Sequence, residues 1–257
     1  MKISFIGAGN VATQFALEFS KHTSMSIEEV YSQNIENAHI LVKKIKQGKA
    51  INSLNLYNSN ANIIIISIKD DALENVISLL KVNENAIVVH TSGSQPLEIL
   101  GVLTQNIGVF YPLQTFSKEK QIDFSLLNIC IEGKTSAIQN ILSSLAEILK
   151  AKISFIDSNQ RKYLHIAAVF SCNFANHLWA LSDEYLREKH ISFDLLKPLL
   201  EETLEKALLI SPKKAQTGPA KRNDTKIIDK HIKLLEENPN MQKIYQTITE
   251  SIINLNK

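Results

Sequence analysis

Arginine and cysteine are scarce in this 257-residue chain, long apolar runs are missing, and neither sign of charge dominates. The only thiols, Cys130 and Cys172, lie far apart and outside any CxxC or Cys/His ligand spacing. That excludes a disulfide framework and a zinc site, so isolated buried thiols and no metal are expected. The 28 basic and 26 acidic residues, net +2, give no field that would recruit nucleic acid or an anionic membrane, and a small-molecule partner is expected instead. The longest aliphatic stretch, Ile63 to Ile66 with its flanks, falls far short of the roughly 20 residues that span a bilayer. Between Lys2 and the first glycine turn there is no room for a signal peptide, so a cytoplasmic location is expected. The rarity of arginine (Arg161, Arg187 and Arg222) in a chain rich in Ile, Asn and Lys reads as compositional bias, not function.

What the chain does have is alternation. Short aliphatic runs at Ile3 to Ile6, Glu28 to Ser32, Ile63 to Ile68, Ala86 to His90, Ile107 to Tyr111, Asn128 to Glu132 and Ile153 to Ile156 predict strands buried on both faces. Between them, Val11 to Lys21, Ile35 to Gln47, Ala72 to Lys81, Leu97 to Leu103 and Ser136 to Leu149 carry apolar residues at helical spacing and predict crossover helices. After about Asp157 only helical patterns follow, with breaks near Ile191, Ser211 to Arg222 and Asn238 to Pro239. The expected fold is α/β: a Rossmann-type, mostly parallel sheet over residues 1–157, followed by an all-α domain over residues 158–257.

The first strand runs into Gly7-Ala8-Gly9-Asn10-Val11-Ala12, a G-x-G-x-x-A turn that opens a helix. In that context Gly7 permits the tight turn and Gly9 clears the approach of a pyrophosphate. Ala12 lets the helix pack on the strand, and the helix N-terminus meets the anion. Gly7, Gly9, Asn10 and Val11 are therefore candidate cofactor contacts. A cofactor with a free ribose 2′-hydroxyl is usually held by Asp or Glu at the tip of the second strand; here the tip reads Val30-Tyr31-Ser32-Gln33-Asn34. Ser32 and Gln33 can hydrogen-bond a 2′-phosphate instead, so NADP is favoured over NAD, which stays possible.

Ligands of open α/β sheets collect at the carboxyl ends of the strands. Three exits there are polar. Ser67 and Lys69 follow the Ile63 strand where the nicotinamide ribose should pass, with Asp70 and Asp71 expected as helix caps. His90 leads into Ser92, Gly93 and Ser94, and the next strand exits through Tyr111 and Gln114. These five residues from Ser92 to Gln114 are candidate substrate contacts.

On these segments, on the helix with His165, Ala167, Ala168, Asn173 and Asn176, and on Thr217 to Asp224, the whole chain resembles an uncharacterised family. That family joins a Rossmann-like domain to a C-terminal domain of unknown function (number 2520). Its layout is similar to pyrroline-5-carboxylate reductases, prephenate dehydrogenases and β-hydroxyacid dehydrogenases, relatives of the 6-phosphogluconate dehydrogenase-like group. The resemblance implies a C-terminal domain that builds the substrate site and usually the dimer. One departure is plain: the lysine and asparagine that β-hydroxyacid dehydrogenases carry one turn apart are absent, since Lys162 is followed four residues on by Ile166.

Asn159 to about Lys189 reads as one long helix whose middle is apolar nearly all round and therefore expected to be buried. At about 100° per residue, His165, Cys172 and Asn176 share a stripe, with Asn173 about 80° from His165. A histidine can move the proton that a carbonyl or imine reduction needs. His165 and Asn173 are thus the candidate catalytic residues, weighed against a satisfied core network. Arg222, in the Thr217 to Asp224 turn, could hold a phosphate or carboxylate, or simply sit in a loop whose Asn223 or Asp224 caps the next helix. The combined expectation is an NADP-dependent oxidoreductase of a small keto, imino or hydroxy acid, homodimeric through its C-terminal helices. The alternative is a non-catalytic NADP(H)-binding sensor or interaction protein.

Overall fold

Four buried positions in a row, apolar but for Ser4, set β1 (Lys2–Ile6) inside the sheet, and the glycine turn then hands the chain to α1 (Asn10–Phe19). The computed structural model, which describes residues 1–256, continues through β2 (Ser26–Tyr31), α2 (Ile35–Ile45), β3 (Lys49–Ile51), β4 (Asn55–Leu56), β5 (Ile63–Ile66) and α3 (Asp70–Leu79). It then forms β6 (Lys81–Val82), β7 (Ile87–His90), β8 (Ile107–Leu113), β9 (Asn128–Gly133), α4 (Ser136–Ile148) and β10 (Lys152–Phe155). The main sheet has the order β10-β9-β8-β7-β5-β1-β2-β3, while β4 and β6 pair separately. Every neighbour in the main sheet is parallel except β8 with β9, where Tyr111 faces Cys130. The expected α/β fold is therefore present, and the sheet is Rossmann-type and mostly parallel.

Each face of the sheet carries its own apolar layer. Phe15 and Phe19 of α1 pack with Phe110, Phe124 and the α4 leucines Leu142 and Leu145 on one side. Ile64, Ile66, Leu73, Val88 and Leu100 form the other.

Three details differ from the sequence reading. Leu97 to Leu103 is not a crossover helix: only Leu97–Leu100 coils, as one 3-10 turn, with Pro96 before it and Gly101 after it. Three apolar residues at spacings of three look helical, yet a proline and a glycine with only four residues between them leave room for a single turn. Asp70 and Asp71 do not cap α3; Lys69 holds the N-cap position, and both acids lie in the first turn, where they face the positive end of the helix dipole. The long helix after Asp157 is also not one uniform helix. It comprises α5 (Ser158–Ala168), a π-helical turn at Val169–Phe174 and α6 (Ala175–Glu188), so a rotation of 100° per residue does not hold along its length.

Two compact units divide at this turn, Met1–Cys172 and Asn173 onward. α5 belongs to the first, whereas the change of pattern at residue 157 places the domain boundary before it. α5 starts on a capping box in which Asp157 accepts from the Gln160 N–H and the Gln160 side chain accepts from the Asp157 N–H. The second unit contains α6, α7 (Lys197–Ile210), α8 (Pro212–Ala215), α9 (Thr225–Leu234) and α10 (Pro239–Leu255). Its breaks fall at the expected places: Asn238 caps α10 through the Met241 N–H, and Asp224 caps α9 through the Ile227 N–H. The expected burial of Ile166 to Leu181 is not met within one chain. Ile166, Trp179 and Leu178 are exposed, as are Leu199, Leu204, Leu208 and Leu209 of α7. Periodicity reports that an apolar face wants cover, not what covers it.

Candidate functional site

The glycine turn has the form an anion requires. Gly7 sits at φ +118°, and a Cβ there would stand 2.2 Å from the Ser67 carbonyl oxygen, so no other residue fits. Gly9, by contrast, has nothing within 4 Å of where its Cβ would be. It occupies the N-cap of α1 without any side-chain cap, leaving the first N–H groups of the helix open toward that space. A cradle with this room in front of uncapped amides fits a dinucleotide pyrophosphate. The Asn10 side chain turns elsewhere, donating to the Phe116 carbonyl at 2.8 Å, and Gln14 donates to the Ser117 carbonyl at 2.7 Å. Asn10 and Val11 can therefore serve the cofactor through their backbone N–H groups.

Ser32 and Gln33 lie between β2 and Asn34, whose side chain caps α2 by accepting from the Glu36 N–H. At the end of β5, Ser67 is buried and accepts from the Thr91 hydroxyl at 3.1 Å, while Lys69 is exposed. After β7 the backbone turns on itself: Ser92 Oγ accepts from the N–H of Ser94 and of Gln95, and the Ser94 hydroxyl donates to Asp70. Asp70 thus ties this turn to the start of α3.

His90, which the sequence places at the rim, is fully buried and is a structural residue. Its Nδ1 accepts from the Ser92 N–H at 3.2 Å and its Nε2 lies 3.3 Å from the Pro96 carbonyl, which fixes the neutral Nε2–H form. Burial, followed by the nearby Arg161 charge, lowers its pKa to about 4. Below about pH 6.5 the unfolded chain takes up a proton that folded His90 refuses, so this contribution to stability is complete above pH 6.5 and declines toward pH 4. Over that window the loss amounts to about 3 kcal/mol. Urea midpoints for wild type should therefore fall more steeply between about pH 7 and pH 5 than those for His90→Gln; parallel slopes would contradict the assignment.

Three residues expected from separate segments do converge. The Tyr111 hydroxyl lies 3.1 Å from His165 Nδ1, with the two rings edge-to-face. A Cβ on Gly93 would stand 2.6 Å from that same nitrogen and 2.9 Å from Tyr111 Cζ, so Gly93 makes the space in which they meet. Burial, and after it the neighbouring Cys130, raises the Tyr111 pKa to about 12. Gln114 is exposed and accepts from the adjacent Thr115 N–H, while Asn173 and Arg222 belong to the second unit and are exposed there. A groove of about 940 Å³ within the second unit, beside Trp179, Arg187 and His190, includes none of the expected site residues.

One functional group escaped the sequence reading. Arg161, discounted as compositional, is 1% exposed and forms an ion pair with Glu132 of β9. It also donates to the Gln95 carbonyl at 2.6 Å and to Ser158 Oγ at 3.2 Å. It thereby joins β9, the turn after β7 and α5, and His165 follows it one helical turn later. Ser158 accepts in addition from the Leu97 N–H at 3.0 Å. The readable signal was a lone acid, Glu132, at the end of a buried strand.

The sheet order, the glycine cradle and the polar carboxyl rim define a dinucleotide-binding module of the oxidoreductase class. Residues 2–93 match the family described as NADP oxidoreductase, coenzyme F420-dependent, and residues 127–252 match a domain of unknown function, DUF2520. A proposed NADP oxidoreductase of Bacteroides fragilis is 37% identical over 98% of this chain and 98% of its own, with a TM-score of 0.87. The chain belongs to the same family as that protein. A reductive aminase of Aspergillus terreus, 15% identical over 98% of this chain and 93% of its own with a TM-score of 0.70, shares the fold. So does a 1-pyrroline-5-carboxylate reductase of Streptococcus pyogenes, 12% identical over 99% and 98% with a TM-score of 0.63. No curated protein matches the chain. Among the described residues no helix is long and apolar enough to cross a membrane.

Proposed function

We propose that this protein is an NADP(H)-dependent reductase or dehydrogenase of a small keto, imino or hydroxy acid, and that His165 handles the proton. The observation that carries the reading is the meeting of Gly93, Tyr111 and His165 on the rim of the sheet whose other strand ends form the cofactor cradle. NADP(H), when bound, supplies or accepts the hydride. Gly7, Gly9 and the first amides of α1 would hold its pyrophosphate, Ser32 and Gln33 its 2′-phosphate, and Ser67 and Lys69 the nicotinamide half. Ser92, Ser94 and Gln114 offer hydroxyl and amide groups to a substrate, and Asn173 and Arg222 are further candidates from the second unit.

Two measurements test this. Purified protein is expected to bind NADPH more tightly than NADH in a fluorescence titration and to oxidise it with at least one keto or imino acid. Tight binding without turnover across the whole series would leave a cofactor-dependent sensor as the better description. Once a substrate is found, His165→Gln should lower turnover by about a hundredfold while sparing the melting temperature and NADPH affinity. Equal losses in all three would make His165 a packing residue.

The same reading includes a homodimer through the C-terminal helices. Leu208 and Leu209 of α7 are each 80% exposed in the single chain, and Leu199, Leu204 and Trp179 are exposed with them. So many large apolar side chains on neighbouring helices are unusual for a free surface. Light scattering at micromolar concentration should give twice the chain mass of 28.8 kDa; a monomer would end this part of the proposal.

A further inference from the structure

We propose that Tyr111 is the positioning residue of this site. Its hydroxyl donates to His165 Nδ1, so the imidazole is held as the Nε2–H form and Nε2 is the only ring nitrogen left for a ligand. The inference rests on reading His165 as the proton-handling group, and it gives Tyr111 a role other than the substrate contact expected from sequence.

The argument starts from the hydroxyl. Tyr111 is nearly buried, and among the described residues His165 Nδ1 is the one hydrogen-bond partner of its oxygen, at 3.1 Å. A buried phenol that keeps its proton needs an acceptor, and a neutral imidazole offers one only at the nitrogen without hydrogen. The hydroxyl of Tyr111 stays protonated throughout the neutral range, since its pKa is pushed up to about 12. Were Nδ1 to carry the proton instead, it would point at an oxygen whose own hydrogen then has no acceptor. The second observation is Gly93, whose φ is ordinary, so backbone strain does not call for glycine there. Contact does: a methyl group would overlap both rings, at 2.6 Å from His165 Nδ1 and 2.9 Å from Tyr111 Cζ. The third is Arg161, one turn before His165, which anchors α5 to Glu132 and to the Gln95 carbonyl beside this turn. Sequence, local turn and helix anchor thus agree on one ring position.

The test needs no substrate, so its failure is separate from failure of the reductase reading. In 15N-labelled protein above neutral pH, long-range nitrogen–proton correlations of the His165 ring should show the proton on Nε2 and Nδ1 as a hydrogen-bonded acceptor. A proton on Nδ1 in the wild type overturns the proposal outright, whatever any variant does. In Tyr111→Phe, which removes one oxygen and keeps the packing, the Nδ1 resonance should move to the position of an unbonded nitrogen; an unmoved resonance also overturns it. Gly93→Ala should give the same displacement by pushing the rings apart. With turnover in hand, Tyr111→Phe should lower kcat about tenfold, the worth of one neutral hydrogen bond, with cofactor affinity unchanged. A merely structural Tyr111 would lower the folded fraction and leave the ring's protonation pattern alone.

Discussion

Gly9→Asp is expected to leave the protein folded and to weaken NADP(H) binding by roughly a thousandfold. The two glycines of the turn do different work. At Gly7 a side chain would collide with the Ser67 carbonyl and would have to adopt a backbone angle of +118°, so Gly7→Ala should lower the melting temperature as well as binding. At Gly9 the extended backbone, φ −78°, suits any residue, and there is open space where a Cβ would go. A carboxylate introduced there repels a pyrophosphate about 4 Å away by roughly 4 kcal/mol at an effective dielectric near 20, which is the thousandfold. An aspartate at an N-cap otherwise favours the helix. Melting curves beside a fluorescence titration separate the outcomes: undiminished affinity in folded Gly9→Asp would place the pyrophosphate elsewhere.

The second large effect concerns Arg161. Replacing it with leucine should destabilise the protein by about 3 to 5 kcal/mol, because Glu132, Ser158 and the Gln95 carbonyl would lose the buried donor they share. The double variant Arg161→Leu with Glu132→Leu should recover much of that loss, since two apolar side chains leave no uncompensated charge. Chemical denaturation checks both. If the double variant is as unstable as the single, the ion pair is not what makes Arg161 costly to remove.

The parts of the fold that sequence made legible are those where one short pattern suffices. Gly7 to Ala12 announced strand, turn and helix together because a strand running into two spaced glycines has few other uses. Asp224 and Asn238 marked helix starts for an equally local reason. Gly93, Tyr111 and His165 were each singled out, yet their meeting was not readable, because it depends on the height at which α5 crosses the sheet. Arg161 and His90 show the converse limit. A charge looks solvated and an imidazole at a strand end looks reactive until the fold supplies Glu132 for one and two backbone groups for the other. Apolar faces such as α7 state a need for cover without naming the partner that meets it.

The reversed pair of strands explains how a histidine so late in the chain reaches the cofactor side at all. Because β9 and β10 run against the rest, β10 ends with Phe155 level with Ile131, and α5 starts beside Glu132, whose strand partner Val109 is level with His90 at the carboxyl end of β7. His165 lies seven residues, about 10 Å of helix, beyond Ser158, and its ring meets the Tyr111 hydroxyl. Direction of travel, set by one antiparallel pairing, lets an outer helix begin level with the strand ends that face the cofactor.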